Sequence, residues 1–241
     1  MAGSEVEVGP GPDGRHGPHA FVIDLDHPVL DTDDRHHLQR VVRLRAGDPL
    51  TVSDGAGGWR PCRFGDDLEP TGPVAHQALA GPAITVAFAP VKGDRPELVV
   101  QKLTELGIDR IVPFWASRSV VRWDAERAAR QVARLRRVAR EAAMQSRRCR
   151  LPVVEVPTTF DVVAQRPGVV LAEREGCSPA WSSSAPAPVV MVGPEGGWTD
   201  LERAAVITHV GFGTHVLRAE TAAITVAAVL SSLRCGVVRP V

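Results

Sequence analysis

From residue 82 onward, short apolar runs of strand type alternate with longer stretches of helical period, and this alternation restricts the chain to an α/β domain built on a mainly parallel sheet. Residues 83–89 and 108–115 read as the first two strands, and apolar runs at 153–156, 169–172 and 189–192 continue the set. Asp94 and Glu97 are spaced as a capping box, opening a helix whose expected buried face is Leu98, Val99, Leu103 and Leu106 and which Gly107 ends. Residues 124–144 form a long helix with Ala128, Val132, Leu135, Val138, Ala139 and Ala142 on one apolar face. Thr199 and Glu202 form a second capping box for a helix closed by Gly211, and a last helix covers residues 220–234.

Before residue 80 the pattern changes to a small β-rich module. Asp31, Thr32, Asp33 and Asp34 offer N-caps for a short helix over 36–43, and residues 49–53 and 59–64 pair as a hairpin through the Gly-rich turn 54–58. Residues 69–73 and 80–82 read as loop and linker. The first eighteen residues are rich in Gly and Pro and carry no apolar segment, so they are expected to be a flexible leader and not a secretory signal. The expected organisation is thus a leader over 1–18, a small β domain over 19–80 and an α/β domain over 81–241.

Several classes are disfavoured. At 241 residues and 44% hydrophobic content the chain can bury a proper core, yet no stretch approaches the length of a membrane span. Cys62, Cys149, Cys177 and Cys235 are scattered without paired spacing, which argues against a zinc site and fits reduced thiols in a cytoplasm. His36 and His37 are adjacent, not at helical ligand spacing, so no metal is expected. The sequence has no phosphate-binding G-x-x-x-x-G-K-[ST] loop, no G-x-G-x-x-G after the first strand and no G-x-S-x-G elbow.

Net charge is zero, but between Arg118 and Arg150 eleven arginines face three acids, Asp124, Glu126 and Glu141. Within this run Arg127, Arg130, Arg134 and Arg137 make a stripe on another face of the helix, a footprint suited to phosphate. Near the C-terminus, Gly193-Pro194-Glu195-Gly196-Gly197 follows the strand 189–192, and Leu217-Arg218-Ala219-Glu220-Thr221-Ala222 follows a second strand-like run at 214–217. Glycines, an Arg and two carboxylates at strand ends point to a ligand crevice at the carboxyl edge of the sheet.

Taken in order, Lys92-Gly93-Asp94-Arg95, Gln101-Lys102-Leu103-Thr104-Glu105-Leu106-Gly107, Glu141-Ala142-Ala143-Met144-Gln145-Ser146-Arg147, the GPEGG run and the Leu217 to Ala222 run resemble the RsmE family of SPOUT-class methyltransferases. The resemblance covers about residues 19–236. It implies a PUA-like β-barrel for RNA followed by a SPOUT domain with a C-terminal trefoil knot, S-adenosylmethionine as methyl donor, and N3 of a uridine in small-subunit ribosomal RNA as acceptor. The substrate would be the free RNA or an assembled small subunit. A cytoplasmic homodimer is implied, with no membrane partner. The related alternative is a SPOUT enzyme acting on a ribose 2′-hydroxyl or a tRNA base. Where the family often carries an Arg before its first strand, this chain has His19; Met144 and His215 replace a common Glu and Arg.

Uridine N3 is a poor nucleophile until its proton leaves and charge spreads to O2 and O4, so a carboxylate base and a cation beside the oxygens are needed. Glu220 is the expected base, Glu195 its rival, and Arg218 the electrostatic partner. The cofactor crevice is expected to use Leu171, Ala172 and Glu173, then Val192, Gly193, Pro194, Glu195, Gly196 and Gly197, and finally Leu217, Arg218, Ala219, Thr221 and Ala222. Expected RNA contacts are Arg40, Arg43 and Arg45, Lys92 and Arg95, the stripe Arg127, Arg130, Arg134 and Arg137, and Arg147.

Overall fold

The structure, a computed structural model, describes residues 7–8, 11–93, 95–173, 188–213 and 215–239. Asp94, Cys177 and Thr214, which figure in the sequence reading, lie outside the described residues. Two compact units form, one from the chain up to Ala78 together with Arg140–Leu151, the other from Leu79–Ala139 and Pro152 onward.

The first unit holds strands β1 (Glu7–Val8), β2 (His19–Phe21), β3 (Pro49–Ser53), β4 (Gly58–Arg63), β5 (Glu69–Pro70) and β6 (Ala75–His76), and helix α1 (Thr32–His37). The sheet order is β1-β6-β4-β3-β2, with β5 also beside β4. The expected hairpin is β3–β4, antiparallel from Pro49↔Arg63 to Ser53↔Trp59. Its turn is closed by the Asp54 carboxylate, which accepts from Ala56 N–H at 2.7 Å and Gly58 N–H at 3.0 Å. Asp31 caps α1 by accepting from Asp34 N–H, and the helix continues in wider turns through Val42 until Arg43 adopts a left-handed φ of 64°. Ala20, Leu38, Leu50, Val52, Cys62 and Phe64 form the core.

Residues 11–18, expected as part of a flexible leader, are built into this unit. Asp13 caps a helical turn at Gly14–His16, Thr51 N–H donates to Pro18 O at 2.9 Å, and Arg147 Nε donates to Gly17 O at 3.1 Å. A Cβ at Gly17 would lie 2.1 Å from Pro49 O, so only glycine lets the chain pass this close to the sheet. Residues 140–151 also contribute. The Arg140 guanidinium binds the Asp34 carboxylate at 2.5 Å and reaches Asp31 at 3.1 Å while lying over the Phe21 ring.

The second unit contains β7 (Thr85–Phe88), α2 (Arg95–Glu105), β8 (Arg110–Trp115), α3 (Ala125–Gln145, of which the part from Arg140 belongs to the first unit), β9 (Val153–Val154), β10 (Thr158–Thr159), α4 (Phe160–Ala164), β11 (Val169–Ala172), β12 (Val189–Val192), α5 (Asp200–Ala205), β13 (His209–Val210) and α6 (Ala219–Arg234). Its sheet runs β10-β8-β7-β12-β11-β13, with β9 also on β8, and every pairing is parallel. The central strands β7, β8, β11 and β12 are buried on both faces, as such sheets require, while the short β9 and β10 lie at the more exposed edge. Val86, Phe88, Ile111, Val190 and Val192 meet Val99, Leu135 and Val226 from α2, α3 and α6, whereas Ala87, Val112, Phe114, Leu171 and Met191 meet Phe160, Trp198 and Val206 on the other side. The period-2 alternation of side chains separates the two cores.

Some local expectations fail for identifiable reasons. In α2 the buried residues include Val99, Val100 and Leu103, while Leu98 is 40% exposed, because the helix meets both the sheet and α6. The helix opened by Thr199 and Glu202 ends at Ala205, not Gly211, since Val206 turns extended and His209–Val210 pairs with Leu171 and Ala172. Residues 215–217 are an exposed loop, so the strand before α6 is β13 and not the apolar run at 214–217.

Candidate active site

Among the described residues β12 is the next strand after β11 and pairs beside it, but the chain then crosses over through α5 to place β13 on the far side of β11. The segments leaving β12 and β13 therefore diverge around the end of β11, the kind of switch point where an α/β sheet opens a crevice. A cavity of about 480 Å³ occupies it. Its walls are Ala172 and Glu173 after β11, Val192, Gly193, Pro194, Glu195 and Gly197 after β12, and Leu217, Arg218, Ala219 and Ala222 at the start of α6. Eleven of the fourteen residues expected at the cofactor crevice thus lie on its wall. Leu171 is fully buried in the sheet core, Thr221 is exposed, and Gly196 turns toward Arg118, whose Cβ would be 3.1 Å from an added methyl.

Sequence reasoning missed Trp198, Arg203, Phe212, Gly213, His215 and Val216, which also line the cavity. Trp198 directly follows the glycine run and could have been included; the others come together only through the crossover. Trp198 stacks on Phe114 with ring centroids 6.1 Å apart, and its Nε1–H donates to Ala172 O at 3.1 Å, joining the exits of β11 and β12. A Cβ on Gly193 would sit 2.9 Å from the Trp198 ring, so this glycine is required for the floor to close.

Glu173 is held from two directions, by Arg203 Nε at 2.5 Å and by His209 Nδ1 at 3.2 Å. The loop after β12 is bolted to the one after β8. Arg118 Nη1 donates to Gly196 O at 3.0 Å and to Trp198 O at 3.1 Å. Glu202 accepts from Ser117 N–H and Thr199 N–H, both at 2.8 Å, and from the Thr199 hydroxyl. Burial opposes the Glu202 charge, but the hydrogen bonds from Ser117 and Thr199 prevail and keep its carboxyl below the usual range.

The two expected bases meet through one guanidinium. Arg95 Nη1 donates to Glu195 Oε1 at 3.0 Å, and Arg95 Nε lies 3.7 Å from Glu220 Oε1. Glu195 lines the cavity, whereas Glu220, in the first turn of α6, does not. Arg218 lines the cavity and is exposed; it occupies the N-cap position of α6 without a side-chain cap, leaving first-turn N–H groups and the positive end of the helix dipole for a ligand.

Among the expected RNA contacts, Arg40, Arg43 and Arg45 are exposed on the first unit, and Lys92 is exposed beside α2. Arg127, Arg130, Arg134 and Arg137 are all exposed along one side of α3, as the pattern predicts. Arg130 pairs with Glu126, and Arg134 with Glu97 at 2.9 Å, while Arg127 and Arg137 form no ion pair among the described residues. His19, standing where the family often has an Arg, is buried in β2, with Nδ1 2.8 Å from the Thr51 hydroxyl and Nε2 3.0 Å from that of Ser53.

The cavity suits an adenosyl-sized ligand. Its volume falls within the roughly 300–1,000 Å³ of small-molecule sites, and its wall combines apolar side chains, glycine main chain and one fixed carboxylate.

A family model described as an RNA methyltransferase domain matches residues 80–231, and one described as an RNA methyltransferase PUA domain matches residues 30–67. The chain is 32% identical over 217 residues to the ribosomal RNA small subunit methyltransferase E of Mycobacterium bovis, covering 81% of this chain and 82% of that protein. It is 33% identical over 225 residues to the protein of the same name from Synechocystis sp., covering 85% and 73%. Among solved structures, a ribosomal RNA small subunit methyltransferase E from Neisseria gonorrhoeae bound to S-adenosyl methionine matches with a TM-score of 0.75 at 26% identity, over 90% of this chain and 98% of that one. With its mainly parallel, SPOUT-like methyltransferase unit preceded by a PUA domain, the chain belongs to the ribosomal RNA small subunit methyltransferase E family.

Proposed function

We propose that this protein transfers the methyl group of S-adenosylmethionine to N3 of a uridine in small-subunit ribosomal RNA. The observation that carries this reading is the cavity at the β11–β12–β13 switch point, rimmed by Arg218 and Glu195 with Glu220 one guanidinium away, in a chain of this family.

Ala172, Val192, Gly193 and the first turn of α6 would hold the adenosyl and amino-acid parts of the cofactor, chiefly through main-chain groups. When bound, S-adenosylmethionine supplies a methyl already activated on a sulfonium, so the protein's work is to position and deprotonate the acceptor. Glu220 takes the N3 proton. Arg218 stabilises the charge that spreads to O2 and O4. Arg40, Arg43 and Arg45 on the first unit, and the α3 stripe on the second, each supply phosphate contacts, and Lys92 and Arg147 are the further contacts of this reading.

The finer architecture belongs to the same reading. On this reading the N-terminal sheet belongs to a PUA-like barrel, supported by its β1-β6-β4-β3-β2 order. The C-terminal trefoil knot is supported by the return of the chain from β13, at the sheet edge, to pack α6 on α2, β7 and β12. The protein acts as a homodimer in the cytoplasm; the strongly exposed Ile207 and Val216 on the second unit are apolar surface that a second copy would cover. No helix among the described residues is long and apolar enough to cross a membrane.

Primer extension on ribosomal RNA from cells with and without the gene tests the product. A methyl on N3 blocks the pairing edge, so reverse transcriptase is expected to stop at one uridine regardless of nucleotide supply. A gene-dependent pause that more nucleotide relieves would point instead to a ribose 2′-O-methyl, and the absence of any gene-dependent stop would make the uridine-N3 assignment wrong.

A further inference from the structure

We infer that Arg95 is a positioning residue for the methyl-transfer step: Glu195 anchors its guanidinium, which holds one oxygen of Glu220 and leaves the other to accept the uracil N3 proton. The inference rests on the proposed uridine-N3 reading and assigns the two carboxylates different tasks.

Arg95 opens α2 and presents two edges of its guanidinium. Nη1 makes a charge-assisted hydrogen bond to Glu195 Oε1 at 3.0 Å, and Nε faces Glu220 Oε1 at 3.7 Å. The carboxylates differ in surroundings. The Glu195 side chain is 49% exposed, whereas that of Glu220 is 12% exposed and its Oε2 is buried with no hydrogen-bond partner among the described residues. An ionised carboxylate has acceptor capacity on both oxygens, and leaving one dry and unpaired is costly. Glu220 itself is off the cavity wall, but its neighbours Ala219 and Ala222 line it, and an acceptor kept in that condition one residue from the cavity is accounted for if a substrate N–H reaches and completes it. The oxygen of Glu195 on that side is already occupied by the guanidinium.

The charges around Glu220 favour this division. On α2, Glu97 pairs through Oε1 with Arg134 and also keeps a buried, unpartnered Oε2, but neither it nor its chain neighbours line the cavity; Lys102 is taken by Glu105, and at the far end of α6 Arg234 is taken by Asp109. β7 and β12, on which α6 packs, are apolar there apart from Thr85, and Arg218 points to the cavity rim from the N-cap. With its guanidinium engaged by Glu195 and facing Glu220, Arg95 has little free charge left to offer a phosphate. Arg95 is therefore a poor RNA contact, despite its place in the sequence-based set.

In the step itself, the proton passes from N3 to Glu220 Oε2 and the N3 electron pair forms the bond to the methyl carbon. The carbon–sulfur bond breaks with its electrons on sulfur, and the proton later leaves Glu220 for water. Misplacing the acceptor by about an ångström can cost around a hundredfold in rate.

The test is a single-turnover mutant cycle on small-subunit RNA, with calorimetric cofactor binding and RNA binding measured across salt. Arg95→Ala should slow methyl transfer by one to two orders of magnitude, about 10- to 100-fold, while cofactor affinity stays within about twofold. Arg95→Lys keeps the charge without the two edges and should recover part of the rate. Glu195→Gln should lose less than Arg95→Ala, and Glu220→Gln should lose most. The double variant Arg95→Ala/Glu220→Gln should be no slower than Glu220→Gln alone, because the positioning residue has nothing left to position. Additive losses, a flattened salt dependence of RNA binding in Arg95→Ala, or an active Glu220→Gln beside a dead Glu195→Gln would each overturn the assignment. Wild-type protein that binds cofactor but leaves uridine N3 unmethylated would instead defeat the underlying functional reading.

Discussion

Burial lowers the pKa of His19 to about 4, with the nearby Arg147 charge adding to the effect, so the imidazole that replaces a family arginine is neutral and structural. The sign follows from linkage. The unfolded chain takes up this proton near pH 6.5 and the folded chain only near 4, so stability is full above about 6.5 and falls as the pH drops through that window. The loss should approach roughly 3 kcal/mol. Urea unfolding at neutral and acidic pH should show it, and His19→Gln should flatten the dependence; an equally steep variant would place the titrating group elsewhere. Arg218 is the opposite case, exposed at the cavity rim with no ion pair among the described residues. If it stabilises charge on uracil oxygens, Arg218→Ala should slow single-turnover transfer by about a hundredfold or more and change cofactor affinity far less. Equal losses in both would make it a cofactor contact. These two residues also mark the limits of sequence reading. The Arg218 motif was legible because chemistry restricts its residue types, whereas nothing local says that His19 faces the Thr51 and Ser53 hydroxyls.

Helix α3 divides as its periodicity dictates, with Val132, Leu135, Ala139 and Ala142 buried and Arg127, Arg130, Arg134 and Arg137 exposed. If the exposed side is an RNA footprint, affinity should fall steeply with salt, and reversing Arg127 and Arg137 to Glu should flatten the slope by about one unit for each phosphate no longer neutralised. An unchanged slope would leave the stripe as solvated surface. Long helices were legible because a 3.6-residue period repeats many times within them. Shorter elements were not. The five-residue α4 offers hardly more than one turn of pattern, and β13 is two residues whose strand state depends on pairing with Leu171 and Ala172. That pairing ends α5 early and leaves Val216 and Leu217, which look like a strand in sequence, on the wall of a cavity.

At the scale of the molecule, ligand binding should couple to stability. A cofactor held in the native cavity and not by the unfolded chain stabilises by about 2.7 kcal/mol at one hundred times its dissociation constant. Thermal unfolding should therefore shift upward with S-adenosylmethionine, and prior treatment with a chelator should change neither the shift nor the affinity. Among the described residues no cluster of three or more His, Cys, Asp or Glu is placed to hold a metal ion, so a chelator-sensitive shift would contradict the proposed site. The parallel α/β unit, the β3–β4 hairpin, the faces of α3 and most of the cavity wall were determined by the sequence itself, because strand alternation, helical period, turn glycines and restricted motif chemistry are local properties. Only the tertiary structure decided that the stretch before β2 is pinned under Pro49, that residues 140–151 join the first unit, that Trp198 closes the cavity floor and that Arg95 bridges Glu195 and Glu220. The physical reason is common to all four. Each depends on groups far apart in the chain meeting within a few ångströms, and strand order, not local propensity, sets which groups those are.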